Sequence, residues 1–348
     1  MFHRGSRLTS ALGCALIAAV VSFALSPPAA ADPVAGFYKG RTINLIIGYA
    51  PGVGYDAYGR LLARHFGSHI PGNPAITPQN MPGAGSMKAA NYNYAVAPKD
   101  GSAIGMFASS TAFEQMFGGD GVQFDTAKFT WIGNLDASVG TCGVWNTSGI
   151  GSFDELIAKP SVFGGSGPSA VTSQHAVALK KLMGAKIKLV EGYSGAGDIK
   201  LAMARGEVGG SCGLALSSLK SQHAQEIKSG ELKVIVQLAI EKSPELPGVA
   251  HIYDYAKDEQ TREVFDLVFG RQVIGRPISA PPGINDDRKG ALRAAFMETV
   301  RDSAFLMDAE KMKLDVTPSD GEGIEKLFAR FFSYPKDAVD KAAEAMRE

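Results

Sequence analysis

Residues 42–56 read TINLIIGYAPGVGYD. Thr42 to Ala50 is a nearly unbroken apolar run of strand length, the pattern of a strand covered on both faces, as in a parallel sheet. It breaks at Pro51-Gly52-Val53-Gly54-Tyr55-Asp56. Tyr58, Leu61, Leu62 and Phe66 then recur at the spacing of one helical stripe. Working outward, the same phrase returns. A shorter strand, Ala75 to Gln79, runs into Pro82-Gly83-Ala84-Gly85-Ser86 and a helix over 87–96. The two Pro-Gly-x-Gly turns stand 31 residues apart, the length of a strand–helix–strand unit. A third strand, Ser102 to Phe107, ends in Ala108-Ser109-Ser110-Thr111.

The pattern restarts in the second half. Val162-Phe163 leads into Gly164-Gly165-Ser166-Gly167-Pro168 and a helix opened by Thr172 or Ser173. Ile187 to Val190 leads into Gly192-Tyr193-Ser194-Gly195-Ala196-Gly197 and another helix. Two repeats of this kind predict two doubly wound α/β domains. Beyond the apolar strand Leu232 to Ala239 the chain reads as mostly helical, a tail expected to pack back on the first domain.

The 348 residues are 45% hydrophobic and 20% charged, with 35 Lys plus Arg against 35 Asp plus Glu. That is globular composition with no basic field to attract nucleic acid. Arg4 and Arg7, the apolar stretch Ala11 to Leu25 and Ala29-Ala30-Ala31 have the layout of an export signal over 1–31. The chain beyond it is expected outside the cytoplasm, in the periplasm. It keeps Cys142 and Cys212, an even count that allows one disulfide or two buried thiols. The six histidines show no metal spacing, and no cofactor is expected.

In open α/β sheets ligands bind beyond the carboxyl ends of the strands. Every glycine-rich turn above lies at such an end and leads into a helix, whose N-terminus offers unpaired N–H groups and a partial positive charge. Its natural guest is an anion. Residues 50–56, 82–86, 108–113, 165–175 and 192–197 contain no Lys or Arg, so amides and hydroxyls would have to hold it. Gly52-Val53-Gly54-Tyr55-Asp56-Ala57 also matches G-x-G-x-x-A, but the next strand ends in Gln79-Asn80 without the acid a dinucleotide site needs. Asp56, in the first turn of its helix, reads as a cap. His175 with Ser166, Ser173 and Asp198 suggests a hydrolase only weakly, since no G-x-S-x-G elbow is present.

Together these segments resemble the extracytoplasmic solute receptors of tripartite tricarboxylate transporters, the Bug receptors. The resemblance rests on APGVGYDAYGRLLARH (50–65), QNMPGAGSMKAAN (79–91), APKDGSAIGM (97–106), GSGPSAVTSQHAVALKKLMG (165–184) and VEGYSGAGDIKLAMARGEVGG (190–210). It departs from the family at Val53, Met81 and Ser194. The resemblance implies a periplasmic-binding-protein clamshell of the Venus flytrap, type II-like class. Its first domain would be 32–140 plus 236–348 and its second 141–235, with crossings near Asp136–Cys142 and Leu232–Ala239. It also implies a monomer that performs no catalysis, captures a small mono-, di- or aromatic carboxylate, and passes it to transporter membrane subunits. In that topology Cys142 lies beside the strand of Cys212, so a bridge is expected. The lining is expected from Pro51, Gly52, Val53, Gly54, Tyr55, Gly83, Ala84, Ser109, Ser110, Ser166, Thr172, Ser173, Tyr193 and Ser194. Arg271, after Phe269-Gly270, would meet a second carboxylate. A signalling module for a membrane sensor and a secreted serine hydrolase are the alternatives.

Overall fold

In a computed structural model of the chain the described residues are Met1 and 32–347, apart from Val53, Ser138 and Ser169 and the side chains of Ser221 and Gln222. The export signal, save Met1, and Val53 of the first turn therefore lie outside the described residues. From Pro33 onward the chain forms one compact unit. A short helix α1 (Pro33–Tyr38) precedes the apolar run, which is strand β1 (Thr42–Ile47), with Ile43, Leu45, Ile46 and Ile47 all buried. Its glycine turn opens α2 (Gly54–His69), whose Tyr58, Leu61, Leu62 and Phe66 are buried as the stripe requires. Then come β2 (Ala75–Asn80), α3 (Met87–Ala95), β3 (Ala103–Met106) and β4 (Thr130–Asn134).

The second half follows with β5 (Gly140–Trp145), α4 (Phe153–Ala158), β6 (Ser161–Gly164), α5 (Val171–Met183), β7 (Ile187–Val190), α6 (Ala196–Ala204) and β8 (Gly210–Ala215). After it run α7 (Leu216–Gln222), α8 (Ala224–Ser229), β9 (Leu232–Leu238) and β10 (Ala250–His251). The remainder is α9 (Glu259–Phe269), β11 (Pro277–Ala280), α10 (Asp286–Thr299), α11 (Ser303–Lys311), β12 (Ser319–Asp320), α12 (Gly321–Phe332) and α13 (Lys336–Ala345). Side-chain caps fix several of these starts. Ser152, Asp258, Asn285, Asp302 and Asp320 each accept from a backbone N–H in the first turn of the helix they precede.

The strands form two six-stranded sheets, β2-β1-β3-β11-β4-β12 and β7-β6-β8-β5-β9-β10. Each has a parallel group of three built by strand–helix–strand units, β2-β1-β3 in one and β7-β6-β8 in the other. Each then takes in one antiparallel strand from the part of the chain that crosses between them, β11 in the first and β5 in the second. Two α/β lobes of matching strand order result, as the repeated phrase predicts. Cys142 on β5 and Cys212 on β8 are joined by a disulfide within the second sheet.

The first crossing lies between the end of β4 at Asn134 and the start of β5 at Gly140. The return does not fall within Leu232–Ala239. β9 pairs along the whole of β5, and β10 pairs with β9 in turn. The Gln237 side chain also ties down the loop between them, donating to the carbonyls of Leu246 and Val249 and accepting from the Ser243 N–H. The second sheet thus holds the chain to His251, and the return runs through α9. The tail also divides. α10 and α11 pack on α2 and α12 packs on β4, whereas α13 packs on α9 and α5, at the second sheet. One apolar core consequently spans both lobes, from Phe113, Trp131, Phe328 and Phe331 to Phe163, Phe265 and Phe269. Each such ring contributes roughly 1.5–3 kcal/mol on full burial.

Candidate functional site

Between the carboxyl ends of the two parallel groups lies a cavity of about 200 Å³. The first lobe supplies Tyr49, Tyr55, Ala108 and Ser109, and the returning chain supplies Gln272, Gly275 and Arg276. The second lobe supplies Val171 and Ala196 at the starts of α5 and α6, Gly213 to Ala215 at the end of β8, and Ser218, Leu219 and His223. Gly213 has φ +67, and a Cβ there would stand 2.6 Å from the backbone of Val171, so only glycine lets β8 approach α5 this closely.

Arg276 gives the cavity its charge. The side chain is buried, and its guanidinium lies 4.3 Å from the centre of the Tyr55 ring and 5.0 Å from that of Tyr58. Such stacking favours a desolvated cation. Asn134 Oδ1 accepts from its backbone N–H at 2.8 Å, and its Nη1 donates to Gly275 O. Nε has no partner, and no carboxylate among the described residues forms an ion pair with this guanidinium. Burial pulls its pKa down, but its electrostatic interactions with Tyr55, Asp136, Tyr58 and Tyr49 hold it above the ordinary value. A buried, charged, half-satisfied guanidinium is a costly thing to leave without an anion.

Two neutral groups beside it are also short of partners. Gln272 Nε2 and His223 Nδ1 are buried without a hydrogen bond. Burial and the nearby Lys200 charge lower the His223 pKa, so the imidazole is neutral at pH 7. Tyr55 stacks on Tyr49 with centroids 4.5 Å apart, and its hydroxyl accepts from the Ser109 N–H at 3.1 Å. Among the described residues no group of three or more His, Cys, Asp or Glu could hold a metal ion.

Of the residues expected at the site, Tyr55 and Ser109 line the cavity, and Gly54 abuts it with its Cβ position 3.6 Å from Arg276 Nη2. Several others do not. Pro51 and Gly52 are exposed, and the Gly52 N–H donates to Asp56 Oδ2 at 2.8 Å. Asp56 also accepts from Arg60 and Asn80, which makes it the turn's brace. Gly83 and Ala84 are exposed, and Ala84 faces a separate cavity with Ser110. Thr172 Oγ1 accepts from the Ser166 N–H and Ser173 Oγ from the Gly167 N–H, so this turn is closed by its own hydroxyls. Tyr193 packs into the apolar cluster of the second lobe, and Ser194 is exposed. Four of the amides expected in the cage, those of Gly52, Ser109, Ser166 and Gly167, are thus taken by the chain's own oxygens.

Arg271 is displaced from its expected place too. It is buried in the core, with Nε on Val268 O and Nη2 on Gln174 Oε1 at 2.9 Å, and does not line the cavity. Burial, partly offset by the Glu114 charge, lowers its pKa to about 10. The cation that does line the cavity is five residues on. The sequence carried a signal for it, since Arg276 interrupts the apolar stretch Gln272–Ala280 at the start of a buried strand. His175 sits in the core edge-on to Phe269, with no hydroxyl or carboxylate partner for either ring nitrogen; burial holds its pKa near 3. A serine–histidine couple is not assembled there.

No protein-family profile and no curated protein matches the sequence. Solved structures match in shape. A TctC solute-binding protein from Polaromonas aligns over 87% of this chain and 99% of its own with a TM-score of 0.67 at 19% identity. The periplasmic binding protein BugD aligns over 88% and 97% with a TM-score of 0.63 at 17% identity. MatC from Rhodopseudomonas palustris, solved with bound malate, aligns over 88% and 99% with a TM-score of 0.63 at 17% identity. Among the described residues no helix is long and apolar enough to cross a membrane. With its paired sheets and the cavity between them, the chain has the fold of these solute-binding proteins.

Proposed function

We propose that this protein is an exported solute receptor of the tripartite tricarboxylate type. In this reading it holds a small carboxylate in the cleft and releases it unchanged to membrane subunits of a transporter. The observation that carries it is Arg276, buried between Tyr55 and Tyr58 at the cleft without a carboxylate partner of its own. A ligand carboxylate would complete its hydrogen bonds in a site of low dielectric, where a charge-assisted pair is strong. Closure follows if the ligand touches both lobes, because it then favours the closed state over the open one. Malate bound to a protein of the same fold supports the choice of anion. Thermal shift against a carboxylate panel tests the proposal. A true ligand at 100 times its Kd raises stability by about 2.7 kcal/mol. The shift is lost in Arg276→Gln and absent with the matching neutral amides. Amides that stabilise as well as the acids would end this reading.

A further inference from the structure

The two segments that join the lobes lie side by side at Asp136 and Arg276. Asp136 belongs to the first, between β4 and β5, and Arg276 ends the second, just before β11. The Leu135 N–H donates to Arg276 O at 3.1 Å, and Asn134 Oδ1 accepts from the Arg276 N–H. Their side chains border different spaces. Arg276 lines the cleft, whereas Asp136 lines a second cavity of about 670 Å³ with Lys220, Val273 and Thr317. Asp136 is only 2% exposed. The Thr317 hydroxyl donates to its Oδ1 at 3.0 Å, but Oδ2 has no hydrogen bond, and neither has Nε of Arg276.

A buried carboxylate calls for a cation. Those lining the second cavity are already engaged: Lys220 pairs with Glu245 at 2.8 Å and Asp315 at 3.2 Å, Lys242 with Asp254 at 2.9 Å, and Arg330 with Asp266. Arg276 remains. Burial raises the Asp136 pKa, opposed first by the Arg276 charge, and Arg276 feels Asp136 in turn. Tyr58, its ring 5.0 Å from the guanidinium, feels both. Resting on the carboxylate reading above, we infer that Asp136 is the resident counterion of Arg276 in the empty cleft, and that it holds the grip on a ligand carboxylate below what Arg276 alone would give. The two buried charges offset each other's desolvation across the joint between the lobes. A carboxylate that meets Arg276 takes over that role and comes under the repulsion of Asp136, so part of the gain from pairing is lost again. Asp136 touches no ligand. It acts through Arg276, and it moderates the hold of a receptor that has to let go.

Titration calorimetry of the purified protein at neutral pH, with malate, adipate and their diamides as probes, reads the effect directly. Asp136→Asn and Asp136→Ser both remove the charge, the first with the shape kept. Each is expected to bind an acid that the parent binds about 10-fold tighter, with no gain for the diamides. A site merely loosened by the change would bind more weakly. Urea melts without ligand test the same pair. Arg276→Gln leaves the Asp136 charge buried alone, so it should cost about twice as much stability or more in the parent as in Asp136→Asn. Acid binding that is no tighter in either Asp136 variant, a gain shared by the diamides, or equal losses in the two backgrounds overturns the inference and leaves the carboxylate reading intact. Diamides that bind the parent as tightly as the acids, or no binding of either acid, overturn both.

Discussion

Reducing the Cys142–Cys212 disulfide is a perturbation whose size follows from the chain itself. The two cysteines are 70 residues apart and fully buried. In the chain-entropy account, closing a loop of that length removes about 4 kcal/mol of freedom from the unfolded state. The native state asks little in return, because a buried thiol behaves as a small apolar group. The bridge also joins β5, the strand that enters the second lobe, to β8, which carries Gly213 to Ala215 at the cavity. Urea unfolding of the oxidised protein and of the Cys142→Ala/Cys212→Ala double variant measures the difference. The variant is expected to lose about 3–4 kcal/mol, or roughly 2–4 °C of Tm per kcal/mol. A loss below about 1 kcal/mol would refute the reasoning, as would two thiols that alkylate freely without reductant in the untreated protein.

Three further outcomes follow from the geometry. Gly213→Ala places a Cβ at φ +67 and 2.6 Å from the Val171 backbone; it should cost about 2 kcal/mol or more and weaken ligand binding, and unchanged melting would contradict the close approach of β8 and α5. Asp56→Ala removes the acceptor for the Gly52 N–H, Arg60 and Asn80. It should destabilise by about 1–3 kcal/mol in a denaturant melt, and a loss under about 0.5 kcal/mol would assign the brace elsewhere. His175 titrates near 3 when folded against 6.5 when free. Below about 6.5 only the unfolded form takes the proton, so this contribution is complete above that pH and falls as pH drops towards 3. The slope approaches ~1.4 kcal/mol per pH unit. Between pH 7 and 5, His175→Leu should therefore lose about 1–2 kcal/mol less than the parent, and equal losses would contradict it.

What the sequence made legible was local. The apolar run at 42–47, the break at Pro51-Gly52 and the helical stripe through Phe66 lie within one window, and the repeat spacing carried them to two α/β lobes. What it hid depended on partners distant in sequence. Leu232–Leu238 is the same apolar run whichever sheet receives it, and only its pairing with β5 assigns it to the second. Thr172 and Ser173 look like ligand hydroxyls until their own turn claims them. The choice between Arg271 and Arg276 was a matter of phase. A 3-10 turn over Gly270–Ile274 gives three residues per turn, which sends Arg271 into the core while Gln272 reaches the cleft.

The pairing of a ligand carboxylate with Arg276 is tested most directly by a crystal structure of the protein with a carboxylate that stabilises it. The account predicts carboxylate oxygens about 2.7–2.9 Å from the Arg276 guanidinium, with ligand contacts from both lobes. A carboxylate held only by the turns at Gly52 and Ser166, with Arg276 left untouched, would contradict it.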